Sequence, residues 1–149
     1  MTERIKELIR ENSMCVLATC RDNKPHCSLM AYLADEQADM VYMATRKNTQ
    51  KYKNLSENPA VSLLIDTRSE KGPDQRARVQ ALTISGTCMP VEDSTESDAI
   101  RRRIVSQHPH LKELAEHPDA AIVAVKLNSF LLLDGALKAH RVSDSKAQS

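Results

Sequence analysis

Arg46, Lys47, Lys51 and Lys53 place four cations within the stretch TRKNTQKYKNLSENP, which runs from Thr45 to Pro59. Residue types in this order suit the holding of an anion. Thr45 closes an apolar run, Asn48 is the expected helix cap, and Thr49, Gln50 and Lys51 fill the first turn of the helix that follows. There the free backbone amides and the positive end of the helix dipole would face a ligand, Thr hydroxyls could donate to it, and Lys51 would add a full charge. Lys47 and Lys51 stand four apart and can converge, with the neutral Asn54 continuing that face, whereas Lys53 points elsewhere. Tyr52 and Leu55 supply the apolar side that anchors so short a helix. Spacing alone leaves two readings open, a phosphate site or a solvated lysine face.

Other chemistry is harder to build from this chain. Cys15, Cys20, Cys27 and Cys88 form no C-x-x-C pair and fall mostly at apolar positions, so reduced core thiols are expected rather than a zinc clip or redox dithiol. His108, His110 and His117 lie close in sequence, but Pro109 interrupts them and no Cys or carboxylate stands at a ligand-like spacing, which predicts a solvated helix junction. Gly72, Gly86 and Gly135 stand too far apart for the glycine-rich loops that cradle dinucleotides or triphosphates.

Elements must position whatever the cations hold. Ile5, Leu8 and Ile9 give residues 2–12 a helical stripe. MCVLATC and HCSLMAYLA read as a hairpin through the turn RDNKP, and DEQAD leads into a third strand, MVYMAT. After the Lys-rich helix, Pro59 disfavours helical geometry at Asn58, and AVSLLID resumes as a strand. Residues 67–77 are charged and expected to be an exposed, mobile connection. RVQALTISGTCMPVE alternates around Gly86, which predicts a bulge or a close backbone approach. Asp93 and Glu96 fit a capping box, with Ile100 and Ile104 on one face of the helix behind it. HLKELAE predicts a further short helix, AAIVAVKL and SFLLLDG two more strands, and a frayed tail begins at about Ser143.

These elements predict one domain over residues 1–149: a mainly β fold, an antiparallel six- to seven-stranded split β-barrel of Greek-key type with peripheral helices. Lys and Arg number 21 against 20 Asp and Glu, a net charge of +1 that lacks the basic footprint of a nucleic-acid binder. The charged start MTERIKELIRENS and the absence of a long apolar run predict a soluble, cytoplasmic protein.

In order along residues 12–91, CVLATCRDNKPHCSLMAYL, MVYMAT and TQKYKNLSENPAVSLLID resemble the first hairpin, the next strand and the triplet–Leu–Asn-Pro–strand run of the pyridoxamine 5'-phosphate oxidase-like split-barrel flavoproteins. The resemblance implies FMN, gripped between the two subunits of a homodimer. It implies that Ser28, Leu29 and Met30 run beside the flavin, that Thr45 and Arg46 end the next strand, and that Thr49, Gln50 and Lys51 form the phosphate triplet. Gln50 departs from the family's usual Arg, and a neutral amide cannot make the bidentate charged contact, so Lys47 or Arg46 would compensate. Gln80 resembles a Gln that reaches the flavin from the long strand. Without the resemblance, Ser28 to Met30 read as ordinary alternation in a barrel wall.

The cofactor would carry the chemistry, which accounts for the absence of a visible triad or carboxylate pair. Family members that oxidise pyridoxamine phosphate resemble one another in an Arg-rich C-terminal segment with Trp; this chain has no Trp and ends GALKAHRVSDSKAQS, so that reaction is not expected. Two functions stay open: a small FMN-dependent oxidoreductase with an unidentified small-molecule substrate or electron partner, and a non-catalytic flavin carrier, redox sensor or haem-handling relative on the same barrel. His140 and Arg141 would serve a substrate or second ligand, or belong to the tail.

Overall fold

The structure is a computed structural model that describes residues 2–67, 80–135 and 138–143. Helix α1 (Thr2–Glu11) buries Ile5, Leu8 and Ile9 as their spacing predicts. Asn12 closes its last turn, the side-chain amide donating to Leu8 O at 2.7 Å. Strands β1 (Met14–Arg21) and β2 (Lys24–Ala31) pair from Met14 opposite Ala31 down to Arg21 opposite Lys24. Asp22 and Asn23 both adopt left-handed backbone, φ 52° and 62°, the two-residue turn whose twist matches its strands.

The second predicted strand does not run through to Ala34. Tyr32 interrupts it, its N–H donating to Ser13 O at 2.9 Å and its hydroxyl to Ile9 O at 2.7 Å, so Leu33–Ala34 forms a separate strand, β3. Asp35 then closes the turn into β4 (Met40–Arg46), its carboxylate accepting from the amides of Asp39 and Met40. Helix α2 (Gln50–Glu57) leads to β5 (Ala60–Asp66) and β6 (Gln80–Pro90). The expected mobile connection at residues 67–77 lies outside the described residues except for Thr67, which is buried and bonded to Gln80 through backbone and hydroxyl.

Asp93 caps α3 (Ser94–Gln107), accepting from Glu96 N at 2.8 Å, with Ile100 and Ile104 buried as expected. A 3-10 turn at Pro109–Leu111 and the short α4 (Lys112–Ala115) follow. AAIVAVKL and SFLLLDG are not two strands. They form one, β7 (Ala120–Asp134), because Asn128 is held within the sheet by a side-chain bond to Thr87 Oγ1 at 3.0 Å. The last described strand, β8 (Lys138–Ser143), includes His140 and Arg141, and the expected frayed tail beyond it lies outside the described residues.

All pairings are antiparallel, in the order β2-β1-β5-β6-β7-β4-β3, with β8 beside the distal half of β7. The sheet curls: Met30 of β2 and Met43 of β4, near opposite ends of the strand order, share one core with Leu17, Leu63, Ile84 and Val125. Gly86 provides the bend. A register shift falls between Ser85 and Gly86, and a Cβ at Gly86 would stand 2.7 Å from both Lys126 O and Val125 Cγ1. The close approach expected at Gly86 is met, and the bulge falls opposite it, with Asn128 of β7 as the extra residue.

Candidate functional site

Curling leaves two strand edges facing each other without closing. Leu29, Met30 and Ala31 of β2 and Ala44, Thr45 and Arg46 of β4 line a cleft of about 180 Å³. Three consecutive residues from each strand reach it, so backbone edges as well as one face border the space; β3 pairs with β4 only at Val41 and Tyr42 and leaves this stretch uncovered. An uncovered edge of this kind offers amides and carbonyls to a ligand or to another chain. The site is thus set where the sheet splits.

The turn from β4 to α2 forms one end of the cleft, contributing Thr49 and Lys51. Thr49, rather than Asn48, is the cap: its Oγ1 accepts from Tyr52 N at 3.3 Å and donates to Arg46 O at 2.8 Å. The backbone amide of Asn48 donates to the Asp119 carboxylate at 3.2 Å. Asp119 braces the whole turn, since its carbonyl also accepts from Lys47 N at 3.0 Å and its carboxylate pairs with Arg46 Nε at 3.9 Å. That separation is too long for a hydrogen bond, and Arg46 Nε is buried without a bonding partner. Burial lowers the pKa of the Lys51 ammonium from its ordinary 10.5, and no carboxylate among the described residues pairs with it. Both cations are therefore under-satisfied at the same end of the cleft. Either would gain by meeting an anion.

The other cleft wall is one the sequence did not announce. Leu111 and Leu114 come from the segment after α3, so an apolar surface faces the free strand edges. His108 anchors that segment. Contrary to the expected solvated junction, His108 is buried, its Nε2 3.0 Å from Tyr32 O and its amide donating to Ile104 O. The His108 ring meets that of His110 edge-on, at 5.8 Å.

Of the residues singled out in the sequence, Leu29, Met30, Thr45, Arg46, Thr49 and Lys51 are brought together in this cleft. Ser28 is next to them on β2, opposite Leu17, but does not line it. Gln50 turns to a neighbouring polar cleft and donates to Asn54 Oδ1 at 2.8 Å. Asn54, expected on a polar face, is buried, because its amide spans from α2 to Thr19 Oγ1 at 3.0 Å. Lys47 is exposed beyond the turn. Gln80 lies at the far end of the sheet, opposite Asp134, whereas Thr45 pairs with Ala121 near the other end of β7. Its Oε1 accepts from Arg4 Nε at 3.0 Å and Nη2 at 2.7 Å. A single chain does not bring Gln80 to the cleft.

All four cysteines are free. Cys15 and Cys88 are buried as expected, and burial pushes both thiols up to about 12, while Cys27, on the outward side of edge strand β2, is exposed and not a core thiol. Among the described residues no group of three or more His, Cys, Asp or Glu is arranged to hold a metal, and no helix is long and apolar enough to cross a membrane.

A curled antiparallel sheet with peripheral helices and a cleft at its split defines the split-barrel class. Within that class, the family model described as pyridoxamine 5'-phosphate oxidase matches residues 1–134, and the chain belongs to the pyridoxamine 5'-phosphate oxidase-like family. A Schizosaccharomyces pombe protein described as a pyridoxamine 5'-phosphate oxidase homolog is 28% identical, the match covering 89% of this chain and 85% of that protein. A haem-binding protein from Mycobacterium smegmatis superposes with a TM-score of 0.81 at 17% identity, over 95% of this chain and 57% of that one. A FAD-binding protein from Mesorhizobium loti gives a TM-score of 0.73 at 15% identity, over 89% and 93% of the two chains. At these identities the structural likeness concerns the fold.

Proposed function

We propose that this chain is an FMN-binding flavoprotein, a small oxidoreductase with an unidentified substrate or electron partner, working as a homodimer with flavin at the subunit interface. The observation that carries the reading is the pairing of opposite characters in one cleft. Leu29, Met30, Leu111 and Leu114 offer apolar walls for a flat ring, and Lys51, Arg46 and Thr49 offer under-satisfied donors for an anion at one end. A ring-bearing phosphate monoester has this polarity. When bound, FMN would supply the electron-transfer chemistry. The chain's own residues would orient it: Met30 and the strand edges against the ring system, Thr49 and Lys51 on the phosphate, and Asp119 behind Arg46 and the turn.

Two features support a dimer. A cleft of about 180 Å³ is smaller than the roughly 300–1,000 Å³ of a whole cofactor pocket. Leu29 in its lining is 72% exposed, an apolar cost that a second copy would remove. In a dimer, Gln80 would meet a flavin only across the interface.

The haem reading, one of those the sequence leaves open, has less chemistry in this cleft. Of the side chains that commonly hold haem iron, the described residues of its lining include only the Met30 thioether, with no His, Cys or Tyr among them. Titration of purified protein with FMN, followed by its visible absorption, tests the proposal, with haem titrated in parallel. Micromolar or tighter FMN binding to a dimeric species is expected; haem bands with no flavin binding would overturn it. Anaerobic reduction of the bound flavin by NADH or NADPH separates an oxidoreductase from a carrier.

A further inference from the structure

Among the described residues, four of the five large apolar side chains that stand exposed share one surface. Met14 is 41% exposed, Leu29 72%, Leu64 38% and Leu133 41%, and all four point outward from the curled sheet, away from the core that Leu17, Leu63 and Leu132 fill. Register lines them up. Leu29 is opposite Val16, Val16 opposite Leu64, Leu64 opposite Thr83 and Thr83 opposite Leu131, a ridge that crosses five strands, with Met14 and Leu133 two residues along on its flank. No helix among the described residues covers it: α1 and α2 send Ile5, Leu8, Ile9 and Leu55 into the interior core, and α3 and α4 pack against β4 and the proximal part of β7.

Immediately beside the ridge the same face is hollow. Ala18, Ser62 and Ser85, cross-strand partners in turn, form the next row, and with Ala60, Thr87 and Asn128 they line a depression of about 460 Å³. None of its lining residues is charged, whereas Asp66, Lys126 and Arg141 stand at the margins of the face. An uncharged centre inside a charged rim is the anatomy of a protein interface. A ridge and a hollow side by side on one surface are also self-complementary about a two-fold axis, because the ridge of each copy can enter the hollow of the other. The face extends over six strands, from β2 to β8. At ordinary strand spacings it measures roughly 24 Å by 20 Å. Two copies would therefore bury roughly 1,000 Å² before side-chain relief is counted, the scale at which specific interfaces begin. Leu29 starts the ridge and also lines the flavin cleft, so a chain seated on the ridge borders that cleft. We propose that this face is the homodimer surface, with the Leu64 ridge of each copy seated in the Ser62–Ser85 hollow of the other. The assignment rests on the dimeric reading given above and specifies where the second chain sits.

The test is the molar mass of the full chain by size-exclusion chromatography with light scattering, with and without FMN. Leu64→Lys puts a charge on the ridge and Ser85→Glu puts one in the hollow. Both side chains are at the surface, and far-ultraviolet circular dichroism checks that each variant folds. Each variant alone is expected to weaken self-association about tenfold or more, the scale for a charge left unpaired in an interface, and to elute at half the wild-type mass. An equimolar mixture of the two should regain the wild-type mass, because a ridge Lys then meets a hollow Glu, a rescue that simple damage to the fold would not give. A dimer that persists in either single variant overturns the surface, and so does a mixture that stays monomeric or a wild-type protein that is itself monomeric. FMN titration of the same samples keeps the flavin reading separate: monomeric variants that bind FMN as tightly as wild type leave the surface standing and overturn the placement of flavin between subunits.

Discussion

Thr45 and Thr49 face each other across the turn that joins β4 to α2, their hydroxyl oxygens 3.5 Å apart. One ends a strand and the other caps a helix, so a strand edge and a helix start are held within a single side-chain contact. The Thr49 hydroxyl already serves the helix by accepting from Tyr52 N and the turn by donating to Arg46 O. Replacement of Thr49 by Ala is expected to cost about 1 kcal/mol of stability in urea unfolding, the ordinary loss for a helix cap, with Thr49→Ser retaining most of it. FMN affinity should fall in step. A variant that keeps both stability and affinity would show that the cap does not organise the site.

Lys51 carries the charge at this end. Lys51→Ala should weaken FMN binding by roughly 1.5–3 kcal/mol, the range for a hydrogen bond to a charged group, while Lys53→Ala on the exposed side of α2 should leave it unchanged. Unaltered affinity in the first variant would place the phosphate elsewhere.

Its pH dependence has a definite sign. Burial holds the Lys51 pKa below 10.5 in the ligand-free chain, so the ammonium loses its proton earlier than a solvated lysine. As pH rises through that lowered pKa, FMN affinity should drop, in a window beneath pH 10.5. Over the same window the unfolded chain holds the proton longer than the folded one, and this residue's contribution to stability rises with pH. Lys51→Met should abolish both effects.

Cys15 and Cys88 act in the opposite direction. Their folded-state thiols titrate near 12 against an ordinary value of 9.0, so their contribution is complete below pH 9 and is lost as pH climbs toward 12, when the unfolded chain ionises first. Urea midpoints should fall between pH 8 and pH 10, and Cys15→Ala or Cys88→Ala should flatten that fall while lowering stability at pH 7. A slope identical in wild type and both variants would refute the assignment.

At Gly86 the added methyl of Ala would press on the Lys126 carbonyl and the Val125 side chain, both 2.7 Å from its position. Backbone must move, and a loss of about 1–3 kcal/mol is expected in denaturant unfolding. Wild-type stability in Gly86→Ala would mean that the bulge is not tightly packed.

Local signals carried much of this fold. Ile5, Leu8 and Ile9 announced α1, Asp93 and Glu96 announced α3, and the Asp22–Asn23 turn announced the first hairpin, because each depends on residues within one or two turns of chain. Thr45, Thr49 and Lys51 were legible for the same reason. What escaped was set by distant partners. Thr49 caps α2 in place of Asn48, whose backbone amide is tied to Asp119, Asn54 is buried by Thr19, and His108 is buried against Tyr32. Leu111 and Leu114 read as any amphipathic helix would, and no spacing rule could have aimed them at β2 and β4. Gln80 shows the reverse case, where the family resemblance named a residue that the chain's own fold ties to Arg4.

Fifteen residues of β7 serve as a shared spine: Ala120 to Lys126 pair with β4, Ser129 to Asp134 with β8, and the opposite edge with β6. This has a consequence for synthesis. Until residues 120–126 emerge from the ribosome, β4 has only the two pairs it makes with β3, so its side of the cleft cannot be held in place. Such long-range pairing is paid for in loop-closure entropy before it yields stability, which makes it late and slow. Cofactor capture should therefore wait until nearly the whole chain is made, and in a nascent chain halted at residue 119 β2 should remain paired with β1 while β4 has no partner beyond its two pairs with β3.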